Sequence, residues 1–174
     1  LRLVGGWAAL WLTWLAVVQA REVGITFLLS VLLLVWMADV AAYFAGKALG
    51  GRYSRGKLAP AISPGKSWEG VWGGMVGVFL LAFVWLALER TGMLSPPSLY
   101  GHLLGQAGWW LLLPAVLFLT VMSVVGDLVE SLVKRSAGMK DSSGLLPGHG
   151  GVLDRVDALL PTLPLAMMLY SLTA

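Results

Sequence analysis

Apolar residues gather in five stretches along the chain, 3–19, 23–45, 71–88, 107–126 and 156–172, with polar residues concentrated between them. About 20 predominantly apolar residues cover the hydrocarbon core of a bilayer. Each stretch therefore predicts a transmembrane helix, the first being short for the task. No alternating pattern of about ten residues recurs, so a membrane barrel is excluded. Asp39 sits late in the second stretch. The last has Asp157 at its start and Pro161 and Pro164 inside, which predicts a kink or tilt. The expected fold is all-α, a polytopic transmembrane helix bundle of about five spans, with residues 1–174 forming a single membrane domain.

Composition strengthens this picture. Hydrophobic residues make up 58% of the chain and charged residues 12%, against roughly 25% charged in soluble domains. Nine Trp point the same way, and the lack of Cys excludes disulfides, thiolate metal sites and cysteine nucleophiles. The first apolar stretch lacks the basic leader and small-residue cleavage site of a signal peptide. The chain starts at Leu1 rather than Met, so its true N-terminus is expected to lie further upstream.

The net charge of +3 matters less than its placement. Segment 46–70 holds Lys47, Arg52, Arg55, Lys57 and Lys66, and segment 127–155 holds Lys134, Arg135, Lys140 and Arg155. With Arg2 they put ten of the twelve basic residues on one side, against Arg21 and Arg90 on the other. The positive-inside rule makes that side cytoplasmic, where nucleotides are found.

The chemistry concentrates between Gly126 and Asp157, where five carboxylates, four cationic side chains, one His and six glycines fall together. On a helix Asp127, Glu130, Ser131, Lys134 and Arg135 form one polar stripe, and Gly138 is a plausible stop for it. Residues 140–151 follow as a glycine-rich turn able to bring backbone N–H groups close to an anion. Asp154 and Asp157 then lie one helical turn apart. A single charge beside a span is ordinarily just solvated. This density instead suggests a metal-assisted phosphate site serving an amphiphile, because Mg²⁺ prefers carboxylate oxygen and Lys and Arg offset phosphate charge.

In the other basic loop, Gly65-Lys66-Ser67 looks like the end of a P-loop, but Pro60 stands where the first glycine is required and no strand precedes it. The simpler reading makes Ser67 or Ser63 the cap of a helix opening at Trp68, with Glu69 near its positive end. Lys66 is then either a membrane-surface anchor or a phosphate contact. Asp39 is costly within a span and usually does something there. It shares a helix face with Tyr43 and Lys47, and a structural Asp39–Lys47 pair is the alternative.

Three stretches together resemble the phosphatidate cytidylyltransferase family. They are Ser131-Leu-Val-Lys-Arg, then Lys140-Asp141 and Leu146-Pro-Gly-His-Gly-Gly-Val-Leu-Asp-Arg-Val-Asp157; Asp39-Val-Ala-Ala-Tyr-Phe-Ala-Gly-Lys47; and Ser63-Pro-Gly-Lys-Ser-Trp-Glu-Gly70. Lys47 stands where Arg is common and Ser67 where Thr is. The resemblance covers about 23–174, and the family's N-terminal spans are not in it. It implies a helical membrane bundle, often dimeric, with a polar cavity opening to the cytoplasm and to lipid, in a bacterial inner membrane. It also implies the reaction of phosphatidate with CTP to give CDP-diacylglycerol and pyrophosphate. On this resemblance Asp127 and Asp154 hold Mg²⁺, with a K⁺-like second cation nearby. Lys134, Arg135, Lys140 and Arg155 join them in catalysis. Ser63, Lys66, Asp39, Ser131, Asp141, His149, Asp157 and Glu130 bind substrate or support it. The expected partners are CTP, phosphatidate, membrane lipid and a second copy of the chain, with no nucleic acid.

Other readings make different demands. A transporter would distribute acidic residues through the membrane depth, whereas here they gather at cytoplasmic ends. A structural subunit holding anionic lipid through segment 46–70 would have no use for Asp127 or Asp154. A cytidylyltransferase for another lipid phosphate shares the chemistry.

Overall fold

The computed structural model describes residues 2–54, 57–95, 97–145 and 151–174. Among them are six α-helices: α1 (Arg2–Val23), α2 (Ile25–Leu49), α3 (Trp68–Arg90), α4 (Leu99–Ala107), α5 (Trp109–Ser136) and α6 (Leu159–Thr173). A two-stranded antiparallel hairpin, β1 (Lys57–Ala59) and β2 (Ser63–Ser67), joins α2 to α3. A single 3₁₀ turn, Leu153–Arg155, precedes α6.

Three helices, α2, α3 and α5, are long and apolar enough to cross a membrane. At about 1.5 Å per residue the 23 residues of α3 exceed the roughly 30 Å of hydrocarbon. Trp36, Phe83, Val84 and Leu117 point outward from these helices and are exposed, as residues facing lipid are. The all-α bundle is thus the observed architecture. The stretches expected to form the first and last spans are helical, as the 22-residue α1 and the 15-residue α6. Neither is among the helices long and apolar enough to cross a membrane, so three of the five expected spans are found among the described residues.

Sequence and structure differ in detail. The polar stripe 127–136 is no separate helix but the last turns of α5, which runs unbroken for 28 residues and ends where Gly138 takes a positive φ of 71°. Asp157 precedes α6 rather than opening it. The segment between α3 and α5, which reads as a plain connector, contains α4. Its seat is a buried hydroxyl: Ser30 of α2 accepts from the Leu99 N–H at 2.9 Å and donates to Phe27 O, while the Tyr100 hydroxyl donates to Ser30 O. Around this seat Phe27, Val31, Leu34, Val78, Leu103, Val116 and Leu163 close a core fed by α2 to α6.

α2 and α3 pack backbone to backbone because α3 offers Gly70, Gly73, Gly74 and Gly77 to Ala38, Ala41, Ala42 and Ala45 of α2. Small residues at this spacing let helices approach closely. A Cβ added at Gly74 would lie 2.9 Å from Ala38 O, and one at Gly70 3.0 Å from Ala42 O. Those neighbours are backbone and cannot swing away. Gly74→Val is therefore expected to destabilise the bundle by about 1–3 kcal/mol, the range for overpacking, read as a lower melting temperature in detergent.

Candidate active site

The hairpin and the helix ends converge at one end of the bundle. Register pairs Lys57 with Ser67 and Ala59 with Ser63. Ser67 then caps α3 by accepting from the Gly70 N–H at 3.1 Å, as its sequence position predicts. This arrangement turns Lys66 toward α5, where its ammonium forms an ion pair with the Asp127 carboxylate. A second link between the two basic segments runs from Arg135 Nε to Ile62 O at 3.3 Å. The sidedness read from Lys and Arg placement thus brings both loops to the same end.

Between α2, the hairpin, α3 and α5 lies a cavity of about 420 Å³. Its polar groups include Asp39, Lys66 and Asp127, set in walls of Ala38, Ala42, Gly70, Gly74, Val71 and Val124. Asp39 is acted on electrostatically by both Asp127 and Lys66. Lys47 and Tyr43 line the same cavity, the Lys47 Nζ lying 5.9 Å from the Tyr43 ring centroid, and no Asp39–Lys47 ion pair occurs among the described residues. Ser131 donates to Asp127 Oδ1 at 3.4 Å, a long bond that leaves Asp127 with Lys66 as its main partner.

A second cluster adjoins the first one turn along α5. Lys134 Nζ stands 2.5 Å from Glu130 Oε2 and 2.5 Å from Asp154 Oδ1. Asp154 also gathers the returning chain: Oδ2 accepts from Ser142 N at 3.0 Å, Ser142 Oγ at 2.9 Å and Gly151 N at 2.7 Å. Burial works to raise the Asp154 pKa, but Lys134 and the N–H groups of Gly151 and Ser142 outweigh it and hold the carboxyl well below the usual carboxylate range. Asp157 goes the other way. Burial, then the charge of Asp127, push it up to about 7 from an ordinary 3.8, with Glu130 and Asp39 adding to the effect and the Ala158 N–H opposing it.

Because the Asp157 pKa is raised on folding, its contribution to stability is full below about 3.8 and is lost as pH rises toward about 7. Asp157→Asn is expected to flatten the pH dependence of melting across that interval. Equal slopes in variant and parent would show that Asp157 does not titrate there.

The structure thus brings together Asp39, Lys66, Asp127, Glu130, Ser131, Lys134, Asp154 and Asp157. Arg135 and Arg155 are exposed beside them. Lys140 and Asp141 are exposed and make no ion pair among the described residues, and Ser63 is half-buried in β2, away from the cavity lining. His149 lies outside the described residues. Sequence reasoning missed Ser142 and Gly151 as the groups that hold Asp154, and it missed the glycine wall of the cavity. The four-residue spacing of Gly70 to Gly74 and Gly73 to Gly77 was the available signal.

No three carboxylate or histidine side chains converge tightly enough among the described residues to form a closed metal cage. The donor set nonetheless suits a hard cation. Asp127 opens on the cavity, and Glu130 is only 7% exposed, with Oε1 lacking a hydrogen-bond partner. Mg²⁺ characteristically binds through one or two carboxylates, keeping waters and substrate phosphates as its other ligands.

A family model described as the cytidylyltransferase family matches residues 2–173. The phosphatidate cytidylyltransferase of Haemophilus influenzae is 44% identical over 147 residues, 84% of this chain and 46% of that protein. That of Pseudomonas aeruginosa is 45% identical over 137 residues, 79% of this chain and 44% of the relative. That of Bacillus subtilis is 40% identical over 151 residues, covering 87% and 49%. The chain spans about half the length of the curated relatives it matches.

Proposed function

The chain belongs to the cytidylyltransferase family, and from that premise we propose that it carries catalytic residues of a phosphatidate cytidylyltransferase, transferring the cytidylyl group of CTP to phosphatidate. The observation that carries this reading is the joining of two ion-paired clusters, Lys66–Asp127 and Glu130–Lys134–Asp154, at one end of an apolar bundle. A polyanionic nucleotide and a lipid phosphate can meet there without the lipid leaving the membrane.

Phosphatidate carries a phosphomonoester whose second pKa, about 6 by analogy with phosphoserine, leaves it mostly dianionic at neutral pH. Its oxygen is already a nucleophile, so no general-base dyad is required. In-line attack on the α-phosphorus of CTP forms the new P–O bond as the bond to the departing pyrophosphate breaks. The barrier lies in bringing polyanions together and in the charge on the leaving group. Lys66 and Lys134 offer ammonium groups from the cavity and from α5, and Arg135, Lys140 and Arg155 add positive charge at the rim. Asp39, Ser131, Asp141, Asp157 and Glu130 support substrate and cation, with Ser63 and His149 assigned to substrate on the resemblance. Asp127 and Asp154 would hold Mg²⁺, which when bound neutralises phosphate oxygens and orients the leaving group. A K⁺-like second cation nearby, a homodimer, a lipid environment, and a bacterial inner membrane with the site facing the cytoplasm complete the proposal. The sidedness is supported by the sequence alone, in which ten of the twelve basic residues are Arg2 or fall in segments 46–70 and 127–155.

The test is transfer of label from α-³²P-CTP into lipid by the purified full-length protein, in detergent with phosphatidate and Mg²⁺. Label in CDP-diacylglycerol, lost in Asp154→Ala, is the expected result. A folded protein that transfers no label across a range of cations would refute the phosphatidate reading.

A further inference from the structure

Glu69 is an acidic residue in the first turn of α3, where exposure to solvent would suffice to complement the helix dipole. It is instead only 7% exposed. Its Oε1 accepts from the backbone N–H of Tyr53 at 3.2 Å and of Ser54 at 2.8 Å. Burying a carboxylate is costly unless it is well bonded, and these bonds reach 15 and 16 residues back along the chain. They tie the loop that leaves α2 to the first turn of α3.

A second tie lies beside it. The Ser67 hydroxyl that caps α3 sits against the end of α2, so that a Cβ at Gly46 would come within 3.3 Å of it and one at Gly50 within 3.6 Å. Lys66 precedes Ser67 directly, Ser67 also pairs with Lys57 across the hairpin, and on the other side of Lys66 the strand is held by the pairing of Ser63 with Ala59. A lysine side chain is long and loses much rotamer freedom when placed, so its aim depends on how firmly its backbone is held. Resting on the proposed reaction for its catalytic consequence, we propose that Glu69 is a positioning residue: by clamping the 53–54 backbone to α3 it fixes Lys66 against Asp127 in the cavity. Glu69 itself is absent from the cavity lining, so it acts through Lys66 and not on substrate.

The clamp can be read without any turnover, by the rate at which an amine-reactive reagent labels Lys66 in the folded full-length protein, resolved by mass spectrometry. Lys66, paired and 25% exposed, should label slowly in the parent and at least threefold faster in Glu69→Ala. Glu69→Gln keeps an acceptor oxygen and should restore slow labelling. Unchanged labelling in a folded Glu69→Ala protein overturns the proposal. If Glu69→Ala does not fold, hydrogen exchange at Tyr53 and Ser54 in Glu69→Asp, whose shorter side chain stretches the clamp, takes its place. Faster exchange there with faster Lys66 labelling supports the clamp, and unchanged rates in both refute it. For the reaction, Glu69→Ala should lower kcat/KM about tenfold or more, and the Lys66→Ala, Glu69→Ala double variant should be within about twofold of Lys66→Ala alone. Multiplying losses in the double variant would mean that Glu69 does not act through Lys66. A parent that labels no lipid would refute the reaction and leave the labelling test of the clamp standing.

Discussion

Lys134→Met is expected to destabilise the protein by about 3–5 kcal/mol, the cost of removing one partner from a buried ion pair. The size follows from what Lys134 leaves behind. Glu130 and Asp154 are 7% and 11% exposed, and Lys134 itself 17%, so water cannot easily replace the lost ammonium. Two neighbouring carboxylates would face each other unscreened, and one of them holds the backbone N–H groups of Ser142 and Gly151. Met keeps the volume and the apolar stem, so the loss reports charge rather than a cavity. Denaturant unfolding in detergent measures it. Combining Lys134→Met with Glu130→Gln should restore part of the loss, because it removes one of the two stranded charges. A single variant as stable as the parent would mean that the cluster is solvated and that its geometry does no work in holding the loop.

The spans and the site's ingredients were legible in the sequence for a simple reason. Apolar stretches near 20 residues have one stable solution in lipid, and five carboxylates beside four cations have few reasons to gather at a membrane edge. Ser67 as a cap and Gly138 as a stop were legible too, because both rest on local backbone chemistry. The pairing inside the site was not. Asp39 shares a helix face with Lys47, which makes a structural pair the alternative reading, yet tertiary packing gives it Lys66 and Asp127 as charged neighbours and leaves Lys47 near Tyr43. Helical periodicity reports only neighbours within one helix, and α2 meets α5 through a hairpin whose register no local pattern specifies. The same limit hid Ser142, which reaches Asp154 from across a loop through its N–H and its hydroxyl. Gly151 was hidden because it bonds Asp154 through a backbone N–H that carries no side-chain signature.

The continuity of α5 joins these two levels. Because the helix runs from the apolar Leu112 and Val116 to the polar stripe without a break, the rigid body that crosses the bundle also carries Asp127, Glu130 and Lys134. Gly126 lets α6 approach at that point: a Cβ there would lie 2.7 Å from Pro161 Cγ and 2.9 Å from Asp157 O. The carboxylates of α5 and of the 154–157 segment are thus set by helix packing and not by loop geometry alone.

Asp127→Ala is expected to lower label transfer by about two to three orders of magnitude, the range seen when a preorganised electrostatic group is removed from an active site. Its effect on stability should be small, in contrast to Lys134→Met. Asp127 and its partner Lys66 are 29% and 25% exposed, so each can be resolvated when the other is lost, and ion pairs of such exposure are worth at most about 1 kcal/mol. Activity and stability therefore separate at this residue. Asp127→Asn sharpens the test, since it keeps the shape and the bond from Ser131 while removing the charge that a divalent cation requires. If transfer in Asp127→Asn stays within tenfold of the parent at saturating Mg²⁺, Asp127 holds no metal and its role reduces to pairing Lys66. If transfer collapses in Asp127→Asn while melting stays near the parental value, and collapses further than in Lys66→Ala, the charge of Asp127 serves the reaction directly.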